Sequence, residues 1–337
     1  MHATEPKHVG LMVATGEDLI SLRQENGRWH ASRSPAGRGM QCIAADRRNP
    51  AVLYAGSRGE GVWRSASGGR DWTRLEFPEP DVFALAVSPA DGAVYAGTEP
   101  SKLFVSRDQG KSWRELTALQ CIPSRPTWSF PPRPWTSHVR AIAPNPHDAQ
   151  LLLVGIELGG IMRSEDGGET WRDHPPGAQK DVHALAWHPT VRDRAYEAGG
   201  GGAAWSRDGG LTWQPADNGR DRHYTWALAV DPADPDCWYV SANPGARLAH
   251  QDEERAEAHI YRWRGDGPWE ALAGGLPEPV YSFPYALLMN SNLLFAGLGD
   301  GRIYSSEDRG DHWSQLQIDG DAPSSVLALV PSNPARV

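Results

Sequence analysis

The sequence predicts an all-β fold, a seven-bladed β-propeller of four-stranded antiparallel blades. Two observations carry this: an octet ending in tryptophan recurs along the chain, and each copy sits at the same place in a repeating pattern of short alternating strands. The octet reads SEDGGETW at 164–171, SRDQGKSW at 106–113, SRDGGLTW at 206–213 and SEDRGDHW at 306–313. SASGGRDW at 65–72 keeps the pattern with Ser67 in place of the acid, and LRQENGRW (22–29) and WRGDGPW (263–269) are degenerate copies. The closing tryptophans Trp29, Trp72, Trp113, Trp171, Trp213, Trp269 and Trp313 lie 43, 41, 58, 42, 56 and 44 residues apart, seven units of about 42 with two insertions.

The strand grammar is clearest at 82–116. VFALAV alternates large and small side chains, SPADG is a turn, AVYAG is a second strand, KLFVS a third, and WREL a fourth beyond the octet. No helix-period stripes intervene, which disfavours alternating α and β units. The first unit lacks an alternating strand before LMVATG, whereas SSVLALVPSNP (324–334) has the missing pattern, so a C-terminal strand at 324–331 is expected to complete the first blade and close the ring. One domain over 1–337 results, with blades at about 9–30 plus 324–331, 39–76, 81–116, 138–173, 181–215, 223–271 and 281–317, and insertions at 117–137 and 243–259.

The octet itself reads as a turn. Asp166 is short enough to accept N–H groups of its own turn, Gly168 permits positive φ, and Trp171 opens the next strand and packs beneath. A calcium loop of the EF-hand type needs acids at alternate positions over twelve residues, which this stretch lacks.

The pattern S-x-D-x-G-x-x-W resembles the Asp-box, or BNR repeat, found in sialidases, xyloglucan-active glycosidases, sortilin-type receptors and the propeller factors of photosystem II assembly. That resemblance implies an architecture close to WD40 and YVTN-like propellers rather than one activity. Sialidases carry an Arg-Ile-Pro motif, a three-arginine cluster and six blades; RSPAGRG (33–39) is a remote echo, and sialidase activity is not expected. Xyloglucan-active enzymes place their cleft between two seven-bladed propellers, and this chain supplies one. Photosystem II assembly factors match in length and blade number but carry an export or lipoprotein signal and an arginine-rich patch, neither of which is recognisable.

Composition narrows the partners. Forty-two acidic residues against 33 basic give a net charge of −9, without a basic run, so neither nucleic acid nor an acidic membrane surface is expected. Three widely spaced cysteines, Cys42, Cys121 and Cys237, contain no CxxC and fit a reducing compartment. With no secretory pattern at the start and no 18-residue apolar stretch, a cytoplasmic protein is expected.

The octets share a face with the turns between first and second strands, so the acids of SPADG (88–92), NPHD (145–148) and DPADPD (231–236) are turn residues. Ligands are expected on the opposite face, where variable loops converge on the channel. Both insertions belong there: one at 116–138 with Trp128, Phe130 and Trp135, the other a charged segment at 243–260 that suits a short helix, lid or flap. Aligning the first strands gives two stacked rings at the mouth. The outer reads Gly39, Asp81, His138, Asp181, Tyr224, Phe283 and Ser325, the inner Gln41, Phe83, Arg140, His183, Trp226, Tyr285 and Leu327. The candidate ligand-binding set is His138, Arg140, Asp181, His183, His223, Tyr224, Trp226, Trp128, Trp135 and Arg58, suited to a small molecule or oligosaccharide, with a protein as a further option. Glu99 and Glu157 occupy equivalent loop positions, and with Asp81 and Asp181 they are the candidate carboxylates if the protein is a glycoside hydrolase or lyase. His138, His183 and His223 on successive blades are conceivable zinc ligands, but twelve histidines make chance placement the better account; no metal or cofactor is expected.

Overall fold

In the computed structural model, residues 10–133, 136–250, 255–265 and 267–332 are described. Trp135 lies outside them. Seven small antiparallel sheets surround a central channel. Their innermost strands are Ala328–Pro331, Met40–Ala45, Val82–Val87, Val139–Pro144, Val182–Trp187, Tyr224–Val230 and Pro284–Asn290, each packed against the next around a closed circle.

Closure occurs as the repeat count requires. Ala328–Pro331 pairs antiparallel with Gly10–Ala14, in the register Leu11 with Pro331 and Ala14 with Ala328. The strand is shorter than the expected 324–331, and Val326 and Leu327 approach it through single backbone bonds to Leu298 and Ala14. An addition that the repeat did not reveal is Ile318–Gly320, which pairs parallel with Arg28–Arg33 and makes the first blade five-stranded. It belongs to the segment that carries the chain from the seventh blade back to the first. In the fourth blade the outermost strand shrinks to one bridge between Arg163 and Arg172.

The octets are turn fasteners. In SEDGGETW, Ser164 Oγ accepts the Gly168 N–H at 2.8 Å, Asp166 Oδ1 accepts the Thr170 N–H at 2.8 Å, and Asp166 Oδ2 accepts the Thr170 hydroxyl at 2.6 Å. Trp171 Nε1 donates to the Gly168 carbonyl at 3.1 Å, and Gly168 takes φ of +94°, a region closed to most side chains. The serine and aspartate bonds to backbone N–H groups recur around Asp108, Asp208 and Asp308, with the His312 ring in place of the hydroxyl in the last. Where Ser67 replaces the acid, its hydroxyl takes over by accepting the Asp71 N–H.

Blades lock together through a recurring socket. Gly155 on the second strand of blade four leaves room for buried Val182 on the inner strand of blade five, and Gly56, Gly97 and Gly297 receive Val82, Val139 and Val326 in the same way. In blade six Thr225 replaces the valine and donates its hydroxyl to the Gly199 carbonyl at 2.9 Å while accepting the Gly199 N–H at 2.8 Å. Because each socket valine or threonine is adjacent in sequence to channel-mouth residues, blade packing fixes the mouth.

Candidate functional site

Seven side chains, six on inner strands and Leu327 just before the seventh, line the channel: Gln41, Phe83, Arg140, His183, Trp226, Tyr285 and Leu327, around a cavity of about 270 Å³. These are the residues of the expected inner ring. Their orientation has a specific cause. Six of the inner strands break register at this level, between Met40 and Cys42, Val82 and Ala84, Val139 and Ala141, Val182 and Ala184, Thr225 and Leu228, and Pro284 and Ala286. The residue skipped by the pairing is the ring residue itself, with Ala227 skipped beside Trp226. A β-bulge bends the strand and re-aims the extra residue, here toward the axis.

The polar groups converge between blades three and five. Arg133 Nη2 donates to Glu99 Oε2 at 2.8 Å, and Glu99 Oε2 lies 3.3 Å from His138 Nδ1. His138 Nε2 is 2.7 Å from Glu157 Oε2, which lies 3.7 Å from Arg140 Nε. Burial acts to raise the pKa of the Glu157 carboxyl, but the His138 hydrogen bond and the Arg140 charge overcome it and hold it at about 2. Glu99 is lowered for related reasons: burial opposes the shift, while His138 and Arg133 drive it. Burial pushes His138 down and its two carboxylate neighbours more than restore it, so its pKa is raised.

Beside this network lies an aromatic wall. The Arg140 guanidinium is 4.4 Å from the Trp226 ring centroid, His183 packs on Trp226 at 4.4 Å and on Tyr224 at 4.9 Å, and Phe83 stacks on His138 at 4.3 Å. His250 completes it. It ends the one-turn helix Ala246–His250 in the second insertion, stacks on Tyr285 at 5.8 Å, and hydrogen-bonds Tyr224 Oη at 2.9 Å and Tyr285 Oη at 3.1 Å. Burial and the neighbouring His183 lower its pKa to about 4, so it is neutral at pH 7.

The expected residues divide accordingly. His138, Arg140, Asp181, His183, Tyr224 and Trp226 come together. Arg58 stands at the rim, its guanidinium 5.3 Å from the Phe83 centroid. His223 is exposed and outside the network, which separates it from the other two histidines of the conceivable zinc trio. Asp81 is half-buried and serves through its backbone, accepting the Glu99 N–H at 3.2 Å.

Trp128 does not offer a ligand face. It is 5% exposed, packed in the core of blades three and four with Leu119, Ile122 and Ile156, and its Nε1 donates to Ser124 Oγ at 3.0 Å. Asp173 anchors that turn by accepting both the Ser124 hydroxyl and its N–H. From the same insertion Phe130 reaches the site, edge-on to His138 at 4.9 Å. His250 and Arg133 are site residues that sequence reasoning missed; for His250 the signal was the helix-forming ARLAH within a charged segment.

One oxygen each of Glu157 and Asp181 and a ring nitrogen of His183 lie within 4.8 Å of one another. Glu157 is poorly suited to be the proton donor of a glycosidase pair, because the general acid of such enzymes needs a raised pKa and Glu157 is lowered. Burial raises the Glu197 carboxyl to about 8, but Glu197 is fully enclosed in blade five, with Oε2 accepting the Gln179 N–H.

No protein-family model matches the sequence. Photosystem II assembly protein Ycf48 from Synechococcus sp. (strain JA-2-3B'a(2-13)) is 23% identical over 335 residues, 96% of this chain and 90% of that protein. Xyloglucanase Xgh74A from Acetivibrio thermocellus is 26% identical over 226 residues, 61% of this chain but 23% of the enzyme, so the chain spans less than a quarter of that relative. Among solved structures, the GH74 xyloglucanase from Xanthomonas campestris superposes with a TM-score of 0.62 at 16% identity, covering 95% of this chain and 53% of the enzyme. A structure of YCF48 bound to D1 peptide gives 0.58 at 15% identity, covering 96% and 88%. The chain is therefore a seven-bladed β-propeller whose fold is similar to that of Ycf48 and of the GH74 xyloglucanases, with no subfamily specified.

Proposed function

We propose that this protein is a non-catalytic binding propeller that takes a small polar molecule or a glycan at the loop-face mouth of its channel, between blades three and six. The observation that carries the reading is the pairing of a fixed polar network, Glu99–His138–Glu157–Arg140, with the wall formed by Trp226, Tyr224, Tyr285 and His250. Apolar ring faces beside oriented donors and acceptors suit sugars and similar polyhydroxylated compounds. A glycoside hydrolase or lyase is the weaker reading, because Glu157 and Glu99 at the mouth are both lowered, whereas a general acid needs a raised pKa.

A peptide from a protein partner is the second reading, favoured by the similarity to a propeller that binds D1 peptide. The compartment we propose is the cytoplasm, consistent with three free cysteines; among the described residues no helix is long and apolar enough to cross a membrane.

A thermal-shift screen of glycans, metabolites and short peptides tests these readings, since a ligand bound only by the folded state raises its stability. A sugar or metabolite that raises Tm in wild type and not in Trp226→Ala supports the first reading. Shifts confined to peptides sink it in favour of the second, and turnover of a glycan by wild type but not by Asp181→Asn sinks the non-catalytic part.

A further inference from the structure

His183 is 4% exposed and stands at the bulge of its inner strand. Its Nδ1 lies 2.6 Å from the Thr225 carbonyl. A carbonyl only accepts, so Nδ1 donates to it and Nε2 is the nitrogen left to face the mouth. That buried Nε2 has no hydrogen-bond partner and faces Asp181 Oδ1 at 3.5 Å, an oxygen that is likewise buried and without a donor. A carboxylate oxygen of Glu157 lies within 4.8 Å of both. A cation seated among the three atoms would give each of them a partner.

We propose that Glu157, Asp181 and His183 bind a first-row divalent cation, Mn²⁺ or Zn²⁺, at the channel mouth. One imidazole and two carboxylates are a borderline-to-hard donor set that suits these ions. Ligand bonds of about 2.1 Å in tetrahedral geometry place donor atoms about 3.4 Å apart, and the separation of His183 Nε2 from Asp181 Oδ1 is 3.5 Å. Outer partners are in place as well: the Thr225 carbonyl fixes the His183 tautomer and His138 holds Glu157, the kind of support that orients metal ligands. Arg140, 3.7 Å from Glu157, opposes a second positive charge, but Glu99 and Asp181 add negative charge to the same mouth. With three protein ligands, the remaining coordination positions are available to oxygen atoms of a bound molecule. The inference rests on the mouth being a binding site, and not on its ligand being a glycan.

The test is titration of chelator-treated, full-length protein with Mn²⁺ alone, following loss of the free-ion electron paramagnetic resonance signal, with Zn²⁺ as competitor. One site per chain is expected. Asp181→Asn and His183→Gln should each weaken it at least tenfold, while His312→Ala, which breaks the exposed pair with Asp308 on the opposite face, should leave it unchanged. Cooperative melting of each variant verifies folding; Asp181, on the rim, is the substitution that least disturbs packing. Absence of stoichiometric binding by folded wild type overturns the proposal, as does wild-type affinity in folded Asp181→Asn. If cation binding is absent while a ligand still depends on Trp226, the cation site alone falls.

Discussion

Adding one methyl group at Gly155 tests the claim that blade sockets position the channel mouth. A Cβ built there overlaps Val182 Cγ1 and stands 3.1 Å from Val182 Cβ and 3.4 Å from Ala141 Cβ. Comfortable carbon contacts fall at about 3.5–4.0 Å. Val182 is fully buried and β-branched, so it has little freedom to turn aside. Forcing an extra methyl into a packed interface costs about 1–3 kcal/mol, and that range is expected for Gly155→Ala from the midpoint of urea unfolding at unchanged slope. Val182→Ala alone should cost about 1.5–3 kcal/mol through lost burial and the void left behind. In the double variant the new methyl occupies the space the valine vacates, so the combined loss should fall short of the sum by roughly 1 kcal/mol or more. Val182 lies between Asp181 and His183, so Gly155→Ala alone should also weaken Mn²⁺ or ligand binding. A Gly155→Ala stability within about 0.5 kcal/mol of wild type, or a strictly additive double variant, would refute the reasoning.

Two further outcomes are expected. The Glu157 carboxyl is depressed from 4.5 to about 2, so the stability it lends is fully present above pH 4.5 and is lost as pH falls toward 2. His138 is raised above 6.5, so its contribution is complete below that pH and is lost as pH rises through its folded value. The stability gap between wild type and Glu157→Gln should therefore be widest between pH 4.5 and 6.5 and narrow on both sides; a gap constant with pH contradicts the coupled network. Trp128→Ala should destabilise the fold by about 3–5 kcal/mol, as for a buried aromatic, and a neutral effect on stability with lost ligand binding would return Trp128 to the binding face.

Much of this arrangement was legible in the sequence because the repeat is a ruler. Counting from Trp72 to Trp313 places Gln41, Phe83, Arg140, His183, Trp226, Tyr285 and Leu327 in register, and all line the channel. The bulges were invisible in any one strand, yet because six strands share them the alignment carried the ring correctly. What the sequence hid depends on contacts between distant segments. Trp128 looked like a free aromatic in a proline-rich loop, but the loop folds back and buries it against Leu119 and Ile156. The strand Ile318–Gly320 has no counterpart among the described residues of the other units, so the repeat offered no template for it. His250 reaches Trp226 because the helix Ala246–His250 of the second insertion ends at the mouth. The convergence of Glu157, Asp181 and His183 joins loop and strand positions of neighbouring blades, and ring geometry decides it.

The central claim is that binding belongs to the loop-face mouth and that the octet acids serve only the turns. The most direct test is a comparison of Arg140→Ala with Asp166→Asn against any compound that stabilises wild type. Arg140 touches Glu157 and Trp226 at the mouth, whereas Asp166 bonds within its own turn. We expect Asp166→Asn to lower the melting temperature yet retain the full ligand-induced shift, and Arg140→Ala to lose that shift. A shift abolished by Asp166→Asn and preserved in Arg140→Ala would contradict the account.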